Sequence, residues 1–478
     1  MGRPPIDRRP NERLAHWLIR SGLSNAKLAT AVKDLAARHG VKGVHPDESR
    51  ARRWLSGEKP REPVPDLITK ILSERTGLPL TREDLGFPAH QRTVSLDPSE
   101  LPWRSGSTIE AIVHLTRSEI MLPHTRHSPD AAHIHSGKSL LDPLHQWATA
   151  LPSELIERPA GHTPTGRVGA REIAGIRAVT EMFRDADNRH GGVLSRRAVI
   201  AQMADAIAML DSCSYTQATG RELFSAVADL GSVAGWMSFD AGMHKSAQKL
   251  FITALHAASE GADKAVGAHI LQCMARQMSH LAHYNDALDL VALAQYGGRR
   301  QTSPATKSML ASLEARFNAI LGHLDESERA AGRAEELFTL INPDEEPPHM
   351  AFFDTAELSA TLGVAHQIAA RKSQGPHRTR RADKSLDLLE HALSLRPIHR
   401  TRSKAFDHLA LARTHLVVSE IGGAHHETDM ALTLFGTISS KRVADRLTEL
   451  HDEAAEFSDA AEAADLRNRI RATVTAAA

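Results

Sequence analysis

Apolar residues in the first ninety positions recur at helical spacing, and residues that begin or end helices interrupt them. Leu28, Val32 and Leu35 share one helical face, and Ser24 stands where an N-cap is expected. Similar short segments lie before and after this one. The pattern predicts an all-α domain over residues 1–88, built as a compact bundle of about five helices.

The segment DESRARRWLSGEKPR, residues 47–61, combines a short helix with a dense positive charge. Winding it as a helix puts Trp54 on the side of the core and Arg52 and Arg53 on the opposite side. Gly57 is suited to end the helix, because glycine adopts the left-handed conformation that a helix end often needs. The charged face is therefore free to meet a partner.

Residues 89–169 show a weaker pattern, with scattered prolines and histidines. Ile109, Ile112 and Leu115 still cluster at helical spacing. We predict a connector with one or two helices.

From residue 170 to residue 478 the chain repeats. The stretches GMHKSAQKLFITA, AHYNDALDLVALA and GHLDESERAAGRA begin at residues 242, 282 and 322, a period of about 40. Two further copies follow, near residues 385 and 424. In four of the five units the repeated segment contains a small residue, and a second small residue lies twelve positions earlier in the chain. These earlier residues are Gly235, Ala275, Ala315 and Ala412. Small residues at this spacing let two antiparallel helices approach each other.

This spacing resembles that of the tetratricopeptide repeat, although the period is longer than the usual 34 residues. The pattern predicts about five helical hairpins stacked as a solenoid, with the helices after Arg442 as a cap.

The residues that directly follow the small positions are expected to face the concave side of the solenoid. They are Trp236, Arg276, Arg316 and Arg413, and Gln272 lies one helical turn before Arg276. Arginines in a column predict a groove that receives a peptide or an acidic small molecule through paired hydrogen bonds to carboxylates. The alternative is that each arginine pairs with an acidic residue of the next hairpin.

The formal net charge of zero is unevenly distributed. Residues 1–92 contain 18 Lys and Arg against 11 Asp and Glu, so this part has an excess of seven positive charges and the rest of the chain an equal negative excess. A basic head on an acidic body is typical of proteins whose head alone meets a polyanion. We predict that the head binds double-stranded DNA.

The expected DNA-binding mode is that of a helix-turn-helix, in which the second helix enters the major groove. Ser49, Arg52 and Arg53 are then the residues that face bases, and Lys27, Arg50, Lys59 and Arg61 lie near phosphates. The connecting segment HGVKGVHP is longer than the standard turn of that motif.

Several segments together resemble the actinobacterial transcription regulators that join an Xre-like helix-turn-helix to a tetratricopeptide-like domain. They are RRWLSGEKPREPVPDLI and GLPLTREDLGF in the head, DNRHGG in the middle and LGSVAGWMSFDAGMHKSAQKLFITAL in the repeats. The resemblance spans most of the chain. It implies a transcription regulator that forms a homodimer, from a group that includes repressors of development and secondary metabolism.

Motifs for other chemistry are weak. SGKSLL, residues 136–141, imitates the end of a phosphate-binding loop, but Ala132 stands where that motif needs glycine. Five histidines crowd the predicted connector without cysteine or carboxylate partners at metal-ligand spacing, which favours solvated side chains over a zinc site: His124, His127, His133, His135 and His145. HExxH, GxSxG and GxGxxG are absent from the sequence, so we expect neither an enzyme nor a cofactor.

Two cysteines without a paired spacing and the lack of a long apolar stretch predict a cytoplasmic protein that has no membrane segment.

A second interpretation of the whole chain is a repeat scaffold or peptide sensor whose basic head contacts an acidic protein and does not read DNA.

Overall fold

The computed structural model describes residues 10–38, 43–61, 63–76, 80, 82, 84–87, 101–121, 134–154, 156, 164–192 and 195–477. The regular secondary structure of these residues is helical, apart from one isolated β-bridge between Arg167 and Ser214. The chain divides into two compact units, Met1–Val94 and Ser95–Ala478. The predicted all-α fold class is confirmed.

The first unit is a small helical bundle around one apolar core. Leu14, Leu28, Val32, Ile68 and Leu72 are fully buried in it. Of the fifth predicted helix, around residues 81–85, the described part is a turn. The helices of this unit are α1 (Glu12–Arg20), α2 (Asn25–Arg38), α3 (Glu48–Leu55) and α4 (Val64–Thr76).

Asn11 fixes the start of α1 to two other parts of the first unit. Its side-chain oxygen accepts a hydrogen bond from the backbone N–H of Leu14, at 3.0 Å, and so caps α1. Its backbone N–H donates to the carbonyl oxygen of Leu55 at the end of α3, and its side-chain amide donates to that of Leu85. The end of α3 is thereby held against α1.

The second unit begins with four helices and continues with five helical hairpins. Each hairpin pairs two consecutive helices along most of their length, as predicted. The first four helices are α5 (Ser105–Met121), α6 (Lys138–Thr149), α7 (Ala170–His190) and α8 (Arg196–Ser212). The hairpins are α9 (Gln217–Asp240) with α10 (His244–Glu260), α11 (Lys264–His280) with α12 (Tyr284–Gly298), α13 (Pro304–Leu321) with α14 (Leu324–Phe338), α15 (Thr355–Arg371) with α16 (Gly375–Leu395), and α17 (Thr401–Val417) with α18 (Ile421–Phe435). The unit ends with α19 (Lys441–Glu453) and α20 (Ala461–Ala477).

The segment predicted to be a connector, residues 89–169, contains two helices, and they belong to the core of the second unit. Ile112 on α5 and Trp147 on α6 are fully buried in that core. Gly267 and Gly297 make room for the indole, because a Cβ added at either glycine would lie within 2.6 Å of Trp147. The described part of this segment is therefore packed against the repeats.

Glycines allow the paired helices to approach closely in two hairpins. A Cβ added to Gly235 would lie 2.5 Å from the ring of Phe251, and one added to Gly363 would lie 2.8 Å from Cγ of Leu389. Gly363 is the small residue of the fourth hairpin, which the twelve-residue spacing did not identify. Its partner Ser385, whose hydroxyl donates to the Gly363 carbonyl oxygen at 2.8 Å, lies 22 positions later. The spacing is longer because α16 begins earlier, at Gly375, ten residues ahead of Ser385.

The last hairpin and α19 contact the helices that open the series. The Arg402 guanidinium, at the start of α17, donates to the carboxylates of Asp187 on α7 and Asp240 on α9, at 2.6 and 3.0 Å. The Ser440 hydroxyl, which caps α19, also donates to Asp240. These contacts bring both ends of the repeat series together around its inner side.

No helix in the described residues has the length and apolarity that a membrane span needs.

Candidate functional site

The structure places the basic face of α3 on the surface of the first unit. Ala51 and Trp54 are buried against the core, whereas Ser49, Arg50, Arg52 and Arg53 are exposed. Asp47 caps the helix by accepting a hydrogen bond from the N–H of Arg50, at 2.8 Å. Gly57 follows the helix end in the left-handed conformation, with φ at 92°. The predicted end and orientation of this helix are therefore observed.

Two of the arginines on α3 have acidic neighbours. Arg52 donates to the Glu48 carboxylate one turn earlier, at 2.5 Å, and Arg53 lies 3.9 Å from Glu58. All four side chains are at least partly exposed, so each pair contributes little to stability. Such contacts exchange readily for contacts with a phosphate or a base.

The remaining predicted DNA contacts lie around this face. Lys59 and Arg61, beyond the end of α3, are exposed. Lys27 is exposed in the first turn of α2, where its N–H donates to the Ser24 hydroxyl at 3.3 Å. α2 packs on α3. Nine residues, 39–47, join the two helices, and residues 39–42 lie outside the described part.

In the second unit the five predicted groove residues converge on one cavity. It has a volume of about 350 Å³, within the size range of small-molecule sites. The residues come from the first helices of four hairpins: Trp236 on α9, Gln272 and Arg276 on α11, Arg316 on α13 and Arg413 on α17. The position that precedes each arginine is a fully buried alanine, and the arginine that follows it lines the cavity.

The three groove arginines differ in how they are paired. Arg413 donates to Glu453 at 2.9 Å and to Glu449 at 3.2 Å, both on α19. Arg276 lies 3.5 Å from Glu357, a carboxylate that Arg396 holds more closely at 2.9 Å. Arg316 has neither a hydrogen bond nor an ion pair to any part of the chain that the structure describes, and its Nε is shielded from solvent. Pairing with neighbouring helices therefore accounts for Arg413 and only weakly for Arg276.

The pKa values of Arg316 and Arg413 differ in the same way as their pairing. Burial and the positive charges of Arg446, Arg276, Arg442 and Arg413 lower the pKa of Arg316 to about 9. Burial acts in the same direction on Arg413, but the carboxylates of Glu453 and Glu449 outweigh it and raise the pKa of that group. The cavity wall around Arg316 thus has an excess of positive charge.

Sequence reasoning missed the contribution of α19 to the cavity. Arg442 lies among the rings of Trp236, Phe239 and Phe406, with its guanidinium carbon 4.6 to 5.0 Å from the ring centres. Burial lowers the pKa of Arg442 to about 10, although Asp240 lies 3.5 Å away. α19 follows the last repeat, so no repeat position marks its arginines. Their place at the cavity depends on the contact between the ends of the series.

The segment that imitates a phosphate-binding loop already holds a carboxylate of the chain. The backbone N–H of Gly137, before the first turn of α6, donates to the Asp286 carboxylate at 2.8 Å. The candidate histidines His124, His127 and His133 lie outside the described residues. Within the described part of the chain, no group of His, Cys, Asp and Glu side chains is arranged to hold a metal ion.

The first unit is similar to a known protein family. Residues 14–88 match the model of the SP15 N-terminal domain, a segment that corresponds to the helical bundle of the first unit. No curated protein matches the chain.

Proposed function

We propose that this chain is a sequence-specific DNA-binding transcription regulator, in which the first unit reads DNA and the second unit senses a ligand, forms a homodimer, or does both. The resemblance noted in the sequence favours a repressor of development or secondary metabolism.

The observation that supports the proposal best is the arrangement of α3. A buried tryptophan and a capping aspartate fix the helix, and four adjacent side chains suited to bases or phosphates point away from the core. Arginine pairs with guanine O6 and N7 through two parallel hydrogen bonds, and it also binds phosphate. A short, rigid helix with arginines on its free face is therefore suited to the major groove.

The proposal predicts a DNA site with two related halves, because a dimer of helix-turn-helix units reads a site with matching symmetry. Selection of bound fragments from random DNA with the full chain, followed by footprinting, tests this directly. We expect one recurring sequence with a protected two-part region. Sedimentation of the full chain with and without that DNA gives the number of copies bound.

Arg53→Ala is the informative variant, and Arg300→Ala is its matched control, because Arg300 is an exposed arginine of the second unit. Arg53→Ala should weaken binding to the selected site, whereas Arg300→Ala should leave it unchanged. If random DNA yields no recurring sequence and no footprint, the DNA-binding proposal is wrong, and the second interpretation, an acidic protein partner for the head, becomes the better one.

A further inference from the structure

The cavity of the second unit is lined by helices from the whole repeat series. Its lining includes Asp187 on α7, Trp236 on α9, Arg316 on α13 and Arg446 on α19. The hydrogen bonds from Arg402 to Asp187 and Asp240 join α17 to α7 and α9 beside it. The cavity has a volume of about 350 Å³, and these contacts lie beside it. A cavity of this size suits a small molecule better than a peptide that would lie along an open solenoid.

The guanidinium groups that face this cavity are not matched by the carboxylates around them. Glu449 is shared between Arg413 and Arg446, and Asp240 is shared between Arg402 and Arg442. Two buried guanidinium nitrogens lack any hydrogen-bond acceptor in the described residues, Nε of Arg316 and Nη2 of Arg276.

A buried N–H group without an acceptor is costly, so proteins normally supply an acceptor for it. Here the acceptors nearby already serve other arginines. Glu357 illustrates this, since its closer contact is with Arg396 and its contact with Arg276 is 3.5 Å long. The unpaired N–H groups of Arg276 and Arg316 are therefore suited to bind an anion that the chain itself does not provide.

The remaining walls are apolar and aromatic. Trp236, Phe352 and Phe406 line the cavity and are only half-buried by the protein. Arg442 stacks among three rings, which keeps its charge close to the apolar wall. A ligand that fits has an anionic end and an apolar body.

We infer that this cavity binds a small organic oxyanion, a carboxylate or phosphate carried on an aromatic or other apolar body, with Arg276 and Arg316 as the groups that receive the charge. The inference deepens the sensing role proposed above and rests on it only for the regulatory consequence. Binding itself requires no DNA.

Calorimetry with the full chain tests the inference, with phenyl phosphate and phenylacetate as the two anionic probes and benzyl alcohol as the uncharged one. We expect at least one anion to bind in the micromolar to millimolar range and benzyl alcohol to bind at least tenfold more weakly. Phosphate and carboxylate sources are distinguished by which probe binds tighter. Inorganic phosphate, which lacks the apolar body, should bind more weakly than phenyl phosphate.

Arg316→Met and Arg413→Met form a matched pair for the same assay. Arg316→Met should lower anion affinity about 10- to 100-fold, as expected for the loss of a hydrogen bond to a charged group. It should also raise the Tm of the unliganded chain, because it replaces a guanidinium whose Nε is buried without an acceptor by an apolar side chain. Arg413→Met should lower the Tm, because it removes the guanidinium that pairs with both Glu453 and Glu449 and leaves these carboxylates only their pairs with Arg371 and Arg446.

Three results with the small probes and the Arg316→Met variant would overturn the inference, and a fourth would come from a peptide. They are the failure of both anions to bind at millimolar concentration, unchanged anion affinity in Arg316→Met, and a lower Tm for Arg316→Met like that of Arg413→Met. An acidic hexapeptide that binds more tightly than either probe would also replace the small molecule as ligand. All these measurements omit DNA. Their results therefore test anion binding even if the DNA-binding experiment fails.

Discussion

The Arg402 guanidinium lies between the carboxylates of Asp187 and Asp240, at 2.6 and 3.0 Å, although 215 and 162 residues separate it from them in the chain. All three side chains are at least nine-tenths buried. Burial lowers the pKa of Arg402, but the two carboxylates outweigh that effect and raise it well above its ordinary value. This ion cluster fastens α17 to α7 and α9.

Arg402→Met should destabilise the second unit by about 3 to 5 kcal/mol, because it leaves two buried carboxylates short of a partner. Urea unfolding followed by circular dichroism measures the change. The control is Arg329→Met, which breaks the exposed pair with Glu326 and should cost less than about 1 kcal/mol. Equal costs for the two variants would show that the cluster does not hold the repeats together.

Gly363→Ala should destabilise the fourth hairpin by about 1 kcal/mol. The new methyl group would lie 2.8 Å from Leu389 Cγ, and the cost of overpacking, about 1 to 3 kcal/mol, exceeds the gain in helix propensity. Gly332→Ala, on α14, should instead stabilise the protein by about 0.5 to 1 kcal/mol, because a Cβ added there meets nothing within 4 Å. Thermal unfolding of both variants gives the comparison, and a stabilised Gly363→Ala would contradict the close packing of α15 and α16.

Acid should destabilise the second unit through its buried histidines. Burial lowers the pKa of His256, stacked on Trp103 at 3.8 Å, to about 3. The unfolded state therefore takes up a proton as the pH falls below about 6.5, and the folded state does not until about pH 3. The stability contribution of His256 is complete above pH 6.5 and is lost progressively between those values, at about 1.4 kcal/mol per pH unit in the middle of the window.

The measurement is the free energy of unfolding at pH 7, 6 and 5 for the wild type and for His256→Gln. The variant should show a shallower loss on acidification, whatever its stability at pH 7. His145→Gln is the control, since His145 is exposed and its replacement should leave the slope unchanged. Identical slopes for His256→Gln and the wild type would contradict a neutral buried imidazole.

Arg50 and Arg52 should affect DNA binding differently. We expect Arg52→Ala to cost about 1 to 3 kcal/mol at the selected site and to relax the preference at one base pair. Arg50→Ala should weaken binding to all sequences alike and reduce the dependence of the logarithm of the binding constant on the logarithm of salt concentration by about one. Titrations at several salt concentrations, on the selected and a scrambled site, separate the two effects, and a uniform loss in Arg52→Ala would make it a phosphate contact.

Local patterns in the sequence were sufficient to predict much of the fold. The face of α3, its cap at Asp47 and its end near Gly57 all follow from interactions within a few residues. The hairpins are also local, because each pairs neighbouring segments through a repeated small residue. The fourth hairpin shows the limit of that reasoning, since the longer α16 shifts the partner of Gly363 from the twelve-residue spacing.

By itself, then, the sequence determined the helices, the hairpins and the inward direction of Arg276, Arg316 and Arg413, because each depends on helical periodicity and on packing between adjacent elements. Only the tertiary structure decided that the predicted connector is part of the repeat core, that α19 brings Arg442 and Arg446 to the cavity, and that Arg316 is left without a carboxylate. Those features depend on contacts between residues more than a hundred positions apart, such as Arg402 with Asp240. No local pattern records which distant carboxylate an arginine will meet.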